Sequence, residues 1–290
     1  MEYLVPDVVT SSFKGYNHLI LLNRKISIES SDLIVLNFEK TRRFEANLSA
    51  VLGAICAQFD NERIRFINLS STLEKELHRN QYLSYIDNSV DQFFDDDVIT
   101  YRKFTPYADI EFIEYIRTEL LSKPDFPKHS NLLGKKINES IFEVFENART
   151  HGHCKHIFTC GQYYPQKTIK KLDMTIVDMG KTIKTNVNEY LKTVLSGSET
   201  ITWALEYGNT TKTGTVSGGL GLDIIMEFIK LNKGKVQIVS SDGYWEFSKG
   251  KKITRLFKHS FPGTIFNIEF NLDDQDFYYL KEEISLDDIF

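Results

Sequence analysis

The sequence predicts an α/β protein of two domains, and three observations carry that reading. Between Leu33 and Tyr82, apolar runs and helical periods alternate as strand, helix, strand, helix. From Ile137 to Gly152 runs an amphipathic helix with a clean polar side. Beyond it, segments with period-two alternation recur as far as Asn271. At 290 residues the chain is long enough for two ordinary cores. Its 41% hydrophobic and 26% charged residues place it among soluble globular chains. The N-terminus lacks a basic-then-apolar leader and no apolar run spans a bilayer, so a cytoplasmic protein without a membrane partner is expected. Cys56, Cys154 and Cys160 are too few and too irregular for a disulfide framework, which fits a reducing compartment. A formal charge of −5 gives no global attraction to nucleic acid, so no such partner is expected, although a local basic patch stays open.

Within residues 1–95, the stretch from Asp7 to Ile28 mixes apolar and turn residues around Leu19–Leu22, and an early strand or hairpin is placed there. Leu33 to Phe38 is a nearly continuous apolar run, as expected of a strand covered on both faces. After the charged turn at Glu39–Arg43, Leu48, Val51, Leu52, Ile55 and Phe59 repeat at helical spacing. Ile64 to Leu69 is the next strand and Thr72 to Tyr82 the next helix, which together imply a parallel sheet with crossover helices. Asp95, Asp96 and Asp97 mark a boundary; the alternative of a metal loop lacks a glycine turn and further carboxylates at loop spacing. Residues 96–129 then read as linker and one helix, Ile110 to Leu121, stopped by Pro124 and Pro127.

In the helix from Ile137, the residues Ile137, Ile141, Val144, Phe145 and Ala148 share one side, and Glu139, Glu143, Glu146, Asn147 and Thr150 the other. Glu143 and Asn147 lie one turn apart, forming either part of a solvated face or a carboxylate and carboxamide aimed at a ligand. Next, Leu172, Met174 and Ile176 share a strand face and Asp178 continues the row, so its carboxylate points into the buried layer and needs a donor. Gly180, Lys181 and Thr182 mimic the end of a phosphate-binding P-loop, but Thr175 stands in the strand where that motif needs a glycine. Thr200 to Tyr207 is a short helix ended by Gly208. The polar loop from Asn209 carries Thr210, Thr211, Lys212, Ser217, Gly218, Gly219, Leu220 and Gly221 into a helix from Leu222 to Leu231. Its glycines therefore lie at a helix N-terminus, where free N–H groups favour phosphate. Lys235–Ser240, Tyr244–Phe247 and Gly263–Asn271 are strands of a mixed sheet under helices, two layers deep, and 273–290 is an acidic, aromatic docking tail.

Glu143 with Asn147, Asp178 with Gly180, Ser217–Leu222, and the closing Gly263–Phe270 strand occur in the order found in the GHKL ATPases. Residues 130–272 thus resemble that superfamily's two-layer α/β sandwich, the Bergerat type, and Glu143–Gly152 is most similar to the anti-sigma-factor serine kinases. Residues 1–95 resemble a STAS-like domain in pattern. At the place where such domains carry a phosphorylated serine, this chain has Glu45, Ala46, Asn47 and Leu48, which implies a sensor or docking role. The resemblance implies ATP and magnesium as cofactors, with Asn147 a magnesium ligand and Glu143 placing or deprotonating the attacking group. It implies that Asp178 accepts the adenine amino N–H, that Gly180, Gly219 and Gly221 allow close approach, and that Thr210, Thr211, Lys212 and Ser217 form a lid. Thr182 stands where the family usually has a second glycine. His151, His153, Cys154, His156 and Cys160 crowd together, but an extended strand from Lys155 splits them between opposite faces, which argues against zinc; His151 is placed at the helix end near the phosphates. The expected function is an ATP-binding regulatory switch with slow hydrolysis and an unidentified protein partner, with a homodimer left open. A protein serine/threonine kinase and a non-catalytic protein with a relic pocket are the alternatives.

Overall fold

The computed structural model describes residues 1–29, 33–87, 90, 98–164, 168, 170–206, 208–211 and 222–283. Asp95, Asp96 and Asp97, expected to mark the linker, lie outside them. The first part runs β1 (Glu2–Leu4), β2 (Val8–Val9), α1 (Phe13–Ile28), β3 (Ile34–Asn37), β4 (Arg43–Phe44), α2 (Ser49–Cys56), β5 (Ile64–Ile67), α3 (Ser71–Arg79) and α4 (Tyr82–Ile86). The second runs β6 (Arg102–Phe104), α5 (Asp109–Tyr115), α6 (Asn131–Thr150), β7 (Ile157–Tyr164), β8 (Lys171–Asp178), α7 (Ile183–Leu191), α8 (Gly197–Ala204), α9 (Asp223–Asn232), β9 (Lys235–Ser248) and β10 (Lys251–Asn271). The fold is mixed α/β. Among the described residues, no helix is long and apolar enough to cross a membrane.

The first sheet has the order β1-β3-β5 with all strands parallel. Where a strand or hairpin was expected around Leu19, the chain forms α1. The contiguous apolar run hides a helical set, Tyr16, Leu19, Ile20, Asn23 and Ile26, all buried. Ser12 caps it by accepting the Gly15 N–H at 3.2 Å, supplying a start signal that a strand would not need.

The second sheet has the order β6-β7-β8-β10-β9, and every neighbouring pair is antiparallel. A mixed sheet was expected. The short connections between β7 and β8 and between β9 and β10 permit only antiparallel pairing. The edge strand β6 comes from the segment expected to be linker.

Helices α5, α6, α8 and α9 cover the front of this sheet, and Phe145, Met174, Ile225 and Phe266 are buried there together. The back is covered too. Val177, Val239, Phe261 and Ile265 share one core with Tyr16, Leu36 and Val51 of the first part, so the sheet lies between two layers where only one was expected. A polar seam joins them. Asn47 Nδ2 lies 2.8 Å from both Ser11 Oγ and Thr175 Oγ1 and 3.1 Å from Asn267 Oδ1. The Ala46 N–H donates to Gln162 Oε1 at 2.8 Å, and Lys171 Nζ sits 2.7 Å from Asp173 Oδ2 and 2.9 Å from Glu269 Oε2. Burial pushes the Asp173 carboxyl up to about 7, the Glu269 charge adding to it and Lys171 and Lys235 opposing.

At the other end, the tail segment lies across the start of α6. Ser130, the N-cap of α6, accepts from the Leu133 N–H and donates to Glu283 Oε2 at 2.6 Å, while Tyr278 packs edge-on against Phe228.

Candidate functional site

A pocket opens on the front of the sheet between α6, α7, α8 and the start of α9. Helix α6 reaches it because its apolar side, Ile137, Ile141, Phe145 and Ala148, is buried on the sheet, leaving Glu143, Asn147 and His151 on the flank that lines the cavity. Glu143 and Asn147 are half-buried. Among the described residues, the Asn147 carboxamide has no hydrogen-bond partner, although its backbone carbonyl accepts from His151 and Gly152.

Asp178 comes in from the strand. Leu172, Met174 and Ile176 of β8 are buried in the front core, and the Asp178 side chain continues their row into the pocket floor. Its Oδ1 accepts the Gly180 N–H at 2.8 Å. Only 6% of the residue is exposed, and that burial pushes its carboxyl up to about 7, with the Gly180 and Thr264 N–H groups pulling the other way. A carboxyl poised near neutrality in a cleft is a candidate functional group on physical grounds.

Close backbone approach surrounds it. A Cβ on Gly180 would lie 2.2 Å from the Gly152 carbonyl oxygen, and one on Gly152 would lie 2.5 Å from the Ala148 oxygen. Lys181 N–H donates to that same Gly152 carbonyl at 2.6 Å, tying the end of α6 to the loop after β8. Gly180→Ala therefore forces two backbones apart. The expected outcome is a loss of about 2 kcal/mol in a denaturant titration, typical of overpacking.

Thr182 occupies ordinary extended backbone at φ −74° and caps α7, accepting the Thr185 N–H at 3.2 Å. No glycine is needed there, because the chain enters a helix directly. That helix was missed in the sequence. Its signal was present in the Thr182 cap followed by Ile183, Val187 and Leu191 at one-turn intervals. Ile183, Asn186 and Val187 line the pocket, and Asn186 Nδ2 donates to the His151 carbonyl at 2.9 Å. Asp223, in the first turn of α9, also lines it and was likewise not singled out.

Thr210 and Thr211 stand at the rim, Thr211 Oγ1 lying 3.0 Å from His151 Nδ1, and Leu222 closes the far side. Lys212, Ser217, Gly218, Gly219, Leu220 and Gly221 lie outside the described residues. Trp203 of α8 forms one wall. Residues far apart in sequence, Glu143, Asn147, Asp178, Thr211 and Leu222, thus meet at one cavity with a mostly apolar floor, the usual anatomy of a small-molecule site.

Cys154 belongs to the front core and Cys160 to the back, so the two thiols sit on opposite faces of the sheet. All three cysteines are free and buried, and burial pushes the Cys56 and Cys154 thiols up to about 12, which leaves them unreactive. Among the described residues, no group of His, Cys, Asp and Glu is arranged to hold a metal by itself. The chain matches no protein-family model, and a search of the curated proteins finds no match.

Proposed function

We propose that this pocket binds ATP with magnesium, and that the protein is a regulatory switch with slow ATPase activity, as the likeness to the GHKL ATPases implies. One observation carries the reading: Glu143, Asn147 and Asp178 line a single cavity, with a buried carboxylate at its floor and, on its flank, a carboxamide without a hydrogen-bond partner among the described residues. The residues fit the ligand. Asp178 supplies a buried acceptor for the adenine amino group, and the close approach of backbone at Gly180 and Gly152 packs the end of α6 against the loop that carries it. The Asn147 oxygen is a hard ligand of the kind magnesium takes beside phosphate oxygens. Bound magnesium would neutralise phosphate charge and polarise the terminal phosphoryl group.

The remaining chemistry rests on this chain. Glu143, one turn before Asn147, orients a water or hydroxyl and takes its proton, a role typically worth about 10²- to 10⁴-fold in rate. The apolar floor at Ile176, Ile238 and Phe266 excludes solvent from the base. His151 Nδ1 lies 3.0 Å from Thr211 Oγ1, which ties the start of the loop after α8 to α6 beside the proposed phosphate site. A lid that orders on the terminal phosphate couples nucleotide state to the surface offered to a partner.

The STAS-like reading of residues 1–95 belongs to the same proposal, with that part as a docking or sensor module. Glu45, Ala46, Asn47 and Leu48, at the place of the phosphorylated serine in such domains, offer no hydroxyl and are all buried, Asn47 against Thr175 and Asn267. The missing hydroxyl favours docking over phosphate acceptance.

The test follows label from the terminal phosphate of Mg-ATP, with Glu143→Ala and Asn147→Ala beside the wild type. Free phosphate from the wild type, reduced roughly 10²-fold or more in both variants, is the expected result. Label on protein identifies a kinase. Absence of both turnover and equilibrium binding overturns the nucleotide reading.

A further inference from the structure

A strongly basic surface lies away from the pocket. Beyond the end of β8, strands β9 and β10 continue as a two-stranded ribbon through six consecutive register pairs, from Gly243↔Leu256 to Ser248↔Lys251. At about 3.3 Å per residue it is roughly 20 Å long. Lys249 and Gly250 close it, both with positive φ, as a tight hairpin turn requires. Lys249, Lys251, Lys252, Arg255 and Lys258 are all exposed, and no acidic residue occurs between Phe247 and Ile268.

Among the described residues, none of these five cations forms an ion pair. The two carboxylates on the β9 side are engaged at the base, Asp242 by Lys184 at 3.0 Å and Glu246 by Gln237 at 2.8 Å. The base itself is rigid. Phe257 stacks on Phe13 with ring centroids 4.5 Å apart, and Arg255 stands over the same Phe13 ring at 5.3 Å. Helix α1 extends the basic track, since Arg24 Nη1 lies 2.7 Å from His259 Nε2, with Lys14 and Lys25 also exposed on that helix.

We infer that this ribbon is a nucleic-acid contact, binding the phosphodiester backbone of duplex DNA. A two-stranded β-ribbon has the width that the major groove admits. Unpaired, exposed cations stand on both sides of it, Lys251 and Arg255 on one face and Lys252 on the other, as suits a ribbon lying between the two phosphate rows of a groove, and binding would release their counterions. An anionic membrane fits less well. The Lys249–Gly250 turn offers no apolar side chain for insertion, and the exposed Ile253 and Leu256 project from opposite faces of the ribbon. A chain whose net charge is −5 thus carries a locally basic surface, which total charge conceals.

The experiment is fluorescence polarisation of a labelled duplex of about 20 base pairs, titrated with the full chain over a series of salt concentrations. Expected is a Kd of roughly 10⁻⁵ to 10⁻⁶ M, with log K falling against log salt at a slope of about −4.5 for five contacts. Lys249→Ala, Lys251→Ala and Lys252→Ala together should weaken binding at least tenfold and make the slope shallower by about 3. All three side chains are exposed, and a melting curve checks that the triple variant still folds. Failure of the wild type to bind, binding without salt dependence, or a triple variant equal to wild type overturns the inference. So does binding to phosphatidylserine vesicles without binding to DNA.

Discussion

If the pocket binds ATP as proposed, Asp178→Asn should weaken that binding by roughly 100-fold while making the protein more stable at neutral pH. The two effects share a cause. A carboxyl raised from 3.8 to about 7 disfavours its charged form by roughly 4 kcal/mol at about 1.36 kcal/mol per pH unit, a ceiling for this group's contribution. Between those two pH values the folded chain holds a proton that the unfolded chain has released, so stability falls as pH rises through that window. Above about pH 7 both states are charged and the loss is complete; below 3.8 both are protonated and there is none. Asparagine keeps an oxygen for the Gly180 N–H and never ionises. The stability gap between variant and wild type should therefore open between about pH 4 and about pH 7 and then stay constant. Asp173 titrates in both proteins and cancels from the difference. Urea melts at several pH values, paired with ATP titrations, make the check. A gap independent of pH, or unchanged ATP affinity, counts against the role given to Asp178.

Asn47→Ala should cost roughly 3 kcal/mol or more in the same urea melts, although Asn47 lies on the opposite face of the sheet from the pocket. Its side chain is fully buried, and its two N–H donors are shared among Ser11, Thr175 and Asn267. Truncation leaves those three groups buried with fewer partners and opens a cavity at the seam between the two parts. The Asn47 Oδ1 has no partner among the described residues, which keeps the expected cost below that of a fully satisfied network. A loss under about 1 kcal/mol would mean that the seam relaxes or admits water. One core unites the first part with the back of the sheet, so a single unfolding transition should be seen.

The contrast between those two faces marks how much the sequence disclosed. Helix α6 and strand β8 were legible because each has an apolar row of the right period and a polar row of distinct chemistry, and the pocket residues Glu143, Asn147 and Asp178 were found on them. The back face misled. Along β10, Phe266, Ile268 and Phe270 face one way and Asn267 and Glu269 the other, an alternation that normally means core and solvent. Here Asn267 and Thr175 are fully buried because Asn47 satisfies them, and a period of two cannot distinguish water from a polar partner brought from elsewhere in the chain. Helix α1 was hidden by the contiguous run at Leu19–Leu22, and α7 by the resemblance of the residues just before it, Gly180–Thr182, to a phosphate loop. The ribbon escaped because the positive charges of Lys249–Lys258 were averaged into a negative total.

The shared core also fixes an order of events. Tyr16, Leu36 and Val51 leave the ribosome roughly 200 residues before Phe261 and Ile265, which belong to the surface they bury against. The first part must therefore hold its apolar side unburied until β10 appears. Contacts this remote in sequence are slow to form. Refolding should be slower than the small size of the first sheet suggests, and a fragment ending at residue 95, lacking its cover, should aggregate when expressed alone.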